Sequence, residues 1–256
     1  MRSSPSAIVC NRRPGAARRA RLSGLVLACA AALWTAPAGA QIVASDYGTL
    51  QMPMSSFLAT SYLTQSVVND LHTPERLRSA ARAPREGASA AALLVSTRGP
   101  ATMPARLASF YPADRQPQAR ALFADLLQRY RGIETQFGLA HGDLGGALAA
   151  FLVGSWMGLH DRPFADEHFM PVVRQMRTLL AAQPELAKAP AADRREMYEQ
   201  LAILGMLMAG TRMALQQQPD AATQQRLREA ARGYLGQFFK VDAERIGFGP
   251  AGLRID

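Results

Sequence analysis

The sequence predicts an all-α protein, a bundle of about five helices with two apolar helices at its centre. The stretch Asp143–Leu159 has no charge after Asp143 and presents apolar groups on every side of a helix, so other elements must enclose it. Amphipathic segments flank it on both sides, and no alternating apolar pattern is long enough for a sheet. The helical domain is expected over residues 111–256, after a signal peptide at residues 1–40 and a flexible lead-in at residues 41–110.

Residues 1–40 have the three parts of a secretory signal peptide in order. Six arginines without any acid come first, the apolar run Leu22–Trp34 follows, and Ala38-Gly39-Ala40 ends the segment. The run is shorter than the roughly 20 residues that a membrane span needs. We therefore expect cleavage between Ala40 and Gln41 and a periplasmic or secreted protein. Cys29 is an alternative lipid-attachment site, but the apolar run continues past it to the better cleavage site.

Removal of this leader lowers the net charge of the chain and removes both of its cysteines. The whole sequence has 29 basic and 20 acidic residues, a net charge of +9. Six of the basic residues and none of the acids lie in residues 1–40, which leaves 23 against 20 and a net charge of +3. These charges are scattered, so the basic face of a nucleic-acid binder is missing.

Both cysteines, Cys10 and Cys29, also lie in the leader, which excludes disulfides and thiolate chemistry from the rest.

Residues 41–110 show little helical pattern. Apolar residues within Ser55–Leu71 are spaced as in a short helix, and Thr73-Pro74-Glu75 resembles the start of another. From Arg76 to Pro104 the composition turns to Ala, Arg, Ser, Gly and Pro, with one apolar island at Leu93-Leu94-Val95. Such a stretch has little to bury, which predicts a flexible tether.

The first two helices of the domain have clear start and stop signals. Pro112, Asp114 and Pro117 begin the first, whose apolar face then follows at three- and four-residue steps, and Gly138 ends it. Asp143 caps the second, the central helix. The many glycines, alanines and the serine of this helix leave room for neighbouring helices to approach closely.

Three further helices complete the predicted bundle. The third begins at Asp166 and ends in the loop around Pro184 and Pro190. The fourth covers about Arg194–Gln217, with Asp193 and Glu196 as a capping pair. Pro219-Asp220 begins the fifth. The tail Val241–Asp256 is rich in glycine, and a short extended piece is expected at Arg245–Phe248.

The loop from His160 to His168 is the best candidate for a metal site. It contains two imidazoles and three carboxylates, groups that suit zinc or another divalent ion. The candidate ligands are His160, Asp161, Asp166 and His168. However, no known ligand spacing is matched, and both aspartates also fit as ordinary loop and cap residues. His141 lies about 25 Å from His160 across the central helix and cannot join them.

Other catalytic signals are weak. Ser155 lies inside a helix and lacks the spacing of a nucleophile elbow. The sequence has no phosphate loop, dinucleotide fingerprint or HExxH motif, and we expect no cofactor. Glu134, Glu196 and Glu199 could pair in a cleft, but a lone carboxylate on a helix usually lies in solvent.

Two apolar runs raise the question of membrane insertion. Leu144–Leu159 contains Gly154-x-x-x-Gly158 and Leu201–Thr211 contains Gly205-x-x-x-Ala209, and small residues four apart let membrane helices touch. Both runs are shorter than about 20 residues. Close packing of two core helices explains the same pattern, so a membrane role is not expected after signal cleavage.

Five stretches between Tyr111 and Leu253 carry a resemblance to a known family. They are ALFADLLQRY, DLGGALAAFL, MPVVRQMR, REMYEQLAILGMLM and GYLGQFFKVD. The segment resembles short exported proteobacterial proteins that contain a helical domain of unknown function. The resemblance implies a helical exported domain and carries over no catalytic residue.

The function expected from these observations is a non-enzymatic module that binds a protein partner or itself. Its contact residues would be Tyr130, Trp156 or Tyr198, wherever these are exposed. One alternative is a metal-dependent or hydrolytic enzyme that uses the His160–His168 loop. Another is a binder of small apolar ligands, with a pocket beside the methionine-rich fourth helix.

Overall fold

The structure, a computed structural model, describes residues 93–255. The predicted signal peptide, its cleavage site, Cys29 and the short helices of the early lead-in lie outside the described residues. Within residues 93–255 the chain is mostly helical, with a single two-stranded hairpin near its end. For this part of the chain, the all-α prediction is therefore confirmed in its coarser form, a mostly helical protein.

Seven α-helices and two strands follow one another along the described chain. They are α1 (Met103–Ala108), α2 (Gln116–Gln136), α3 (Leu144–His160), α4 (Phe169–Ala181), α5 (Pro184–Lys188), α6 (Ala191–Gln217), α7 (Ala221–Phe239), β1 (Ile246–Gly249) and β2 (Gly252–Ile255). Short 3₁₀ turns, Asp166–His168 and Ala243–Arg245, precede α4 and β1.

Helix α3 is enclosed by α6, α7 and α4, as its uncharged composition predicted. Its backbone meets that of α6 directly. A Cβ on Gly154 would lie 2.4 Å from the carbonyl oxygen of Gly205, and a Cβ on Gly205 would lie 2.7 Å from the carbonyl carbon of Ala150. Only glycine fits at such distances, so the small residues serve close helix packing. In residues 93–255, no helix combines the length and apolarity that crossing a membrane requires.

Three of the predicted helix ends are confirmed. Asp143 caps α3 because its Oδ1 accepts hydrogen bonds from the amides of Gly145 and Gly146, at 2.9 and 3.1 Å. Asp220 caps α7 in the same way. Gly138, with a φ of 66°, stands just after α2 in the left-handed conformation that glycine adopts most easily.

Other predicted ends are wrong. Helix α6 begins at Ala191 without a side-chain cap, so Asp193 and Glu196 do not form a capping pair. Asp166 begins a 3₁₀ turn, and α4 itself starts at Phe169. The loop between the third and fourth predicted helices contains the extra helix α5, which is one short turn with Leu186 buried.

Within residues 93–255, the all-α prediction fails at the tail. β1 and β2 pair antiparallel from Ile246 with Ile255 to Gly249 with Gly252. The buried Gln175 on α4 fixes this hairpin, since its amide nitrogen donates to the Leu253 carbonyl at 3.0 Å and its amide oxygen accepts from the Leu253 amide at 2.7 Å. The expected extended piece is thus the first strand of a hairpin.

Residues 93–110 pack against the helices instead of forming the tether that their composition predicted. The Val95 amide donates to the Gly142 carbonyl at 3.0 Å, and the Leu144 amide donates to the Leu93 carbonyl at 3.2 Å. Leu93, Val95 and the α1 residues Met103 and Leu107 are buried. The apolar island was therefore a packing signal, and the packed part of the chain reaches back at least to Leu93.

Candidate functional site

Glu134, near the end of α2, has a fully buried carboxylate. Its Oε1 accepts hydrogen bonds from the Gly142 amide and the Tyr198 hydroxyl, both at 3.0 Å. Its Oε2 lies 2.8 Å from Nδ1 of His141. The carboxylate thus joins α2, the loop before α3 and α6.

Burial raises the pKa of Glu134 above its ordinary value, although the hydrogen bonds from His141, Gly142 and Tyr198 act in the opposite direction. Burial also raises the pKa of Tyr198, and the nearby Glu134 carboxylate adds to the effect. The imidazole of His141 is 56% exposed. An exposed imidazole whose Nδ1 contacts a buried carboxylate has the arrangement of a general base. The other oxygen of the carboxylate is engaged by the Gly142 amide and the Tyr198 hydroxyl, which ties the loop to α6.

Two more buried carboxylates hold elements together. Asp143 pairs with Arg177 of α4, whose Nε lies 2.9 Å from Oδ2. Glu199 of α6 accepts from the amides of Thr102 and Met103 at 3.0 and 3.1 Å, and its other oxygen lies 2.8 Å from Nε of Arg195.

The guanidinium of Arg195 also bonds to three backbone carbonyls ahead of α1, those of Arg98, Gly99 and Pro100. The Glu199–Arg195 pair therefore fixes the segment that leads into α1. All three buried carboxylates act as structural ties between parts of the chain that are distant in sequence.

A different kind of site lies where the end of α3, the following loop and β1 meet. Trp156, Phe164 and Phe248 are each half-buried there, and we call these three side chains the aromatic patch. Their ring centroids are 6.3 Å (Trp156 to Phe164), 5.7 Å (Trp156 to Phe248) and 5.5 Å (Phe164 to Phe248) apart. The corresponding interplanar angles are 83°, 90° and 88°. The three ring planes are thus mutually perpendicular.

Two histidines stand at the edge of the aromatic patch. The His160 ring centroid is 5.1 Å from that of Trp156, and the His168 centroid is 6.4 Å from that of Phe164. His160 Nδ1 lies 3.7 Å from a carboxylate oxygen of Glu244. Its Nε2 is buried and has no hydrogen-bond partner within residues 93–255. Burial lowers the pKa of His160 from its ordinary value, although the nearby Glu244 carboxylate acts in the opposite direction.

Comparison with known proteins gives a family but no activity. A model described as a family of unknown function, DUF6683, matches residues 16–256. The chain belongs to this family. No curated protein and no solved structure shows significant similarity to it. Membership in DUF6683 agrees with the resemblance to a domain of unknown function, whereas export and taxonomic range stay predictions.

The candidate metal loop has other contacts in this DUF6683 member. Asp161 accepts hydrogen bonds from Arg212 at 3.2 Å, Gln216 at 2.9 Å and Gln224 at 3.2 Å, which ties the end of α3 to α6 and α7. Asp166 is exposed. In the described part of the chain, no three His, Cys, Asp or Glu side chains are grouped so as to hold a metal ion. Metal binding by His160, Asp161, Asp166 and His168 stays a prediction.

Of the three aromatic residues expected at a contact surface, only Trp156 can serve. Tyr130 and Tyr198 are fully buried and pack against each other, with ring centroids 5.9 Å apart.

The expectation that Glu134 and Glu199 lie in solvent is also wrong. The sequence does contain a signal that Glu134 and Glu199 are buried. Glu134 stands one turn after Tyr130 on the apolar face of its helix, and Glu199 lies close to the enclosed stretch that begins at Leu201.

Proposed function

We propose that this chain is an exported, non-enzymatic helical module that binds a protein partner or a second copy of itself through the aromatic patch. The observation that carries the proposal is a contrast between two sets of side chains. Glu134, Asp143 and Glu199, which could do acid–base chemistry, are buried and bonded within the fold. The three residues of the aromatic patch are each only partly buried.

Partly buried aromatic residues favour binding for an energetic reason. Burial of apolar surface lowers the free energy by about 25 cal/mol for each Å² removed from water. Tryptophan is among the residues that contribute most binding energy at interfaces. Three different elements hold the rings, and Phe248 is fixed further because Gln175 bonds to the opposite strand at Leu253. A surface that is ordered before binding loses little conformational entropy on association.

The proposal of export rests on the leader-like order of residues 1–40. The lack of cysteine beyond Cys29 is compatible with an oxidising compartment, since no thiol there could mispair.

Site-specific photo-crosslinking in the producing cell tests the binding surface. Benzoylphenylalanine replaces Phe164 in the aromatic patch and, in the matched control, replaces the exposed Arg120 on α2. We expect an adduct from position 164 that is absent from position 120 and is weakened by Trp156→Ala. The mass of the adduct separates a second copy from another protein. Equal adducts from both positions, or none from position 164, would contradict the proposal.

A further inference from the structure

We infer that His141 is a modification site that accepts an acyl group at its Nε2 atom. The donor class is an activated acyl compound, such as a thioester or an activated ester. The proposed function concerns the aromatic patch and gives His141 no role, and the family description assigns no modified residue.

His141 combines an accessible ring with a fixed orientation. Its side chain is 56% exposed, whereas that of Glu134 is 0% exposed. The Nδ1 atom of His141 lies 2.8 Å from Oε2 of Glu134. Because a buried group holds the ring at Nδ1, the nitrogen on the other side of the ring, Nε2, is directed towards solvent.

The contacts of Glu134 determine which nitrogen of His141 carries the proton. Oε1 of Glu134 accepts from the Gly142 amide and the Tyr198 hydroxyl, both at 3.0 Å. The other oxygen, Oε2, faces Nδ1, and an ionised carboxylate can only accept a hydrogen bond. Nδ1 must therefore donate, which leaves the lone pair of the neutral imidazole on Nε2. A nucleophilic imidazole requires such a lone pair on an accessible nitrogen.

The loop that carries His141 is held on both sides of the ring. Gly142 donates from its amide to Glu134 and accepts at its carbonyl from the Val95 amide at 3.0 Å. Asp143, the next residue, caps α3 and pairs with Arg177. The imidazole and the carboxylate therefore keep their relative positions, and the nucleophile is oriented before a donor arrives.

The reaction is an acyl transfer to nitrogen. The Nε2 lone pair attacks the carbonyl carbon of the donor, an N–C bond forms, and the C–S bond of a thioester or the C–O bond of an ester breaks. The leaving group departs as the anion of the thiol or alcohol. The acylated ring is then positively charged, and it loses the Nδ1 proton to Oε2 of Glu134. Burial raises the pKa of Glu134, which suits this carboxylate to take up the proton.

The other histidines within residues 93–255 are arranged differently. His160 is 21% exposed, its Nε2 is buried, and its Nδ1 lies 3.7 Å from Glu244. His168 is half-buried and packs beside Phe164, with 6.4 Å between the ring centroids. Neither ring contacts a buried carboxylate in this part of the chain. His160 and His168 therefore serve as internal controls for the reactivity of His141.

Diethyl pyrocarbonate, a small carbonyl electrophile that acylates imidazoles, tests the site in the full chain. Mass spectrometry of peptides from protein treated at pH 8 gives the rate of acylation at each histidine. We expect His141 to react at least about tenfold faster than His168, since its Nε2 is both accessible and unprotonated. Equal rates at these two histidines would overturn the inference.

Glu134→Gln separates nucleophilicity from exposure. The backbone amide of Gly142 can only donate, so the glutamine oxygen stays beside it and the glutamine NH₂ group faces Nδ1 of His141. Because that group donates, Nδ1 becomes the acceptor and the proton moves to Nε2. Acylation at His141 should slow about tenfold, while acylation at His168 in the same molecules stays unchanged. An unchanged rate at His141 would show that exposure alone sets its reactivity, and the inference would fail.

Tyr198→Phe is the matched control for Glu134→Gln. It also removes one hydrogen bond of Glu134, but it leaves Oε2 as an acceptor for Nδ1 of His141. The rate at His141 should therefore stay close to that of the wild type. A loss equal to that of Glu134→Gln would show that general loosening of the loop is the cause, and this would contradict the assigned role of the carboxylate.

An activated ester, p-nitrophenyl acetate, shows whether an acetyl group follows the same route. Wild-type protein should release nitrophenolate and carry acetyl on His141 after an acid quench. His141→Gln should lose this release, whereas His168→Gln should keep it. Release that persists in His141→Gln, or acetyl on other residues alone, would overturn the inference. If a variant does not fold, the position of the acetyl group in the wild type still decides. Crosslinking from position 164 does not depend on His141, so the proposed function stands or falls separately.

Discussion

Glu134 connects local sequence to tertiary structure at the scale of a single residue. Its position on the apolar face of α2 forces the carboxylate into the core, where a charge is costly unless donors surround it. Tyr198, Gly142 and His141 provide those donors from two other parts of the chain. Helical periodicity predicted which face of α2 is buried. It could not show that three partners, up to 64 residues away, would satisfy this carboxylate.

Substitutions of Glu134 should separate its hydrogen-bonding role from its charge. Glu134→Ala leaves the buried Tyr198 hydroxyl and the Gly142 amide without an acceptor, which should lower the free energy of unfolding by about 3 kcal/mol. Glu134→Gln keeps an oxygen that can accept both bonds, so its loss should be clearly smaller. Urea unfolding of the wild type and of the two variants measures these losses in the free energy of unfolding. Equal losses would show that hydrogen bonding is not what the residue contributes.

The raised pKa of Glu134 gives a second prediction with a defined sign. Because the folded state favours the protonated carboxyl, the associated stability is fully present below the ordinary pKa of 4.5 and is lost as pH rises through the raised value. Glu134→Gln does not titrate there. The free energy of unfolding of the wild type, taken relative to that of Glu134→Gln, should fall as pH rises from 4 towards 7. A constant or rising difference would contradict this assignment.

At the scale of elements, the contact between α3 and α6 decides the packing of the core. The sequence predicted both apolar helices and their close approach, since small residues recur along each of them. It did not predict α1 or the second strand, because six- and four-residue elements are too short to show a period. These short elements are held by distant side chains, α1 by Glu199 and β2 by Gln175. Their positions therefore depend on tertiary contacts.

Two glycine-to-alanine substitutions should change stability in opposite directions. The Cβ of Gly154→Ala would overlap the carbonyl oxygen of Gly205 at 2.4 Å, and moving one backbone from the other should cost about 1–3 kcal/mol. Gly132→Ala is the matched control in α2, where nothing lies within 4 Å of the new Cβ, and it should stabilise the protein by up to about 1 kcal/mol. Thermal unfolding of both variants checks the signs. A tolerated Gly154→Ala would mean that the backbones do not touch.

At the scale of the whole molecule, the proposed export predicts which form of the protein would meet the proposed partner. Export should remove residues 1–40, so the processed chain should begin at Gln41. Intact mass and N-terminal sequencing of protein from a periplasmic fraction measure this. Replacing Ala38 and Ala40 with bulky residues should block processing, whereas Cys29→Ser should leave it unchanged. A lipid mass on a chain that begins at Cys29 would replace this route with lipidation.

Quenching of Trp156 by acrylamide is the most direct measurement of the claim that the aromatic patch is open to solvent. The full chain with Trp34→Phe contains no other tryptophan, and the same chain unfolded in urea gives the value for a fully exposed indole. Because Trp156 is half-buried, the folded chain should show a quenching constant clearly below the unfolded value and clearly above zero. A constant near zero would mean that the patch is covered, and the binding surface proposed for this protein would be lost.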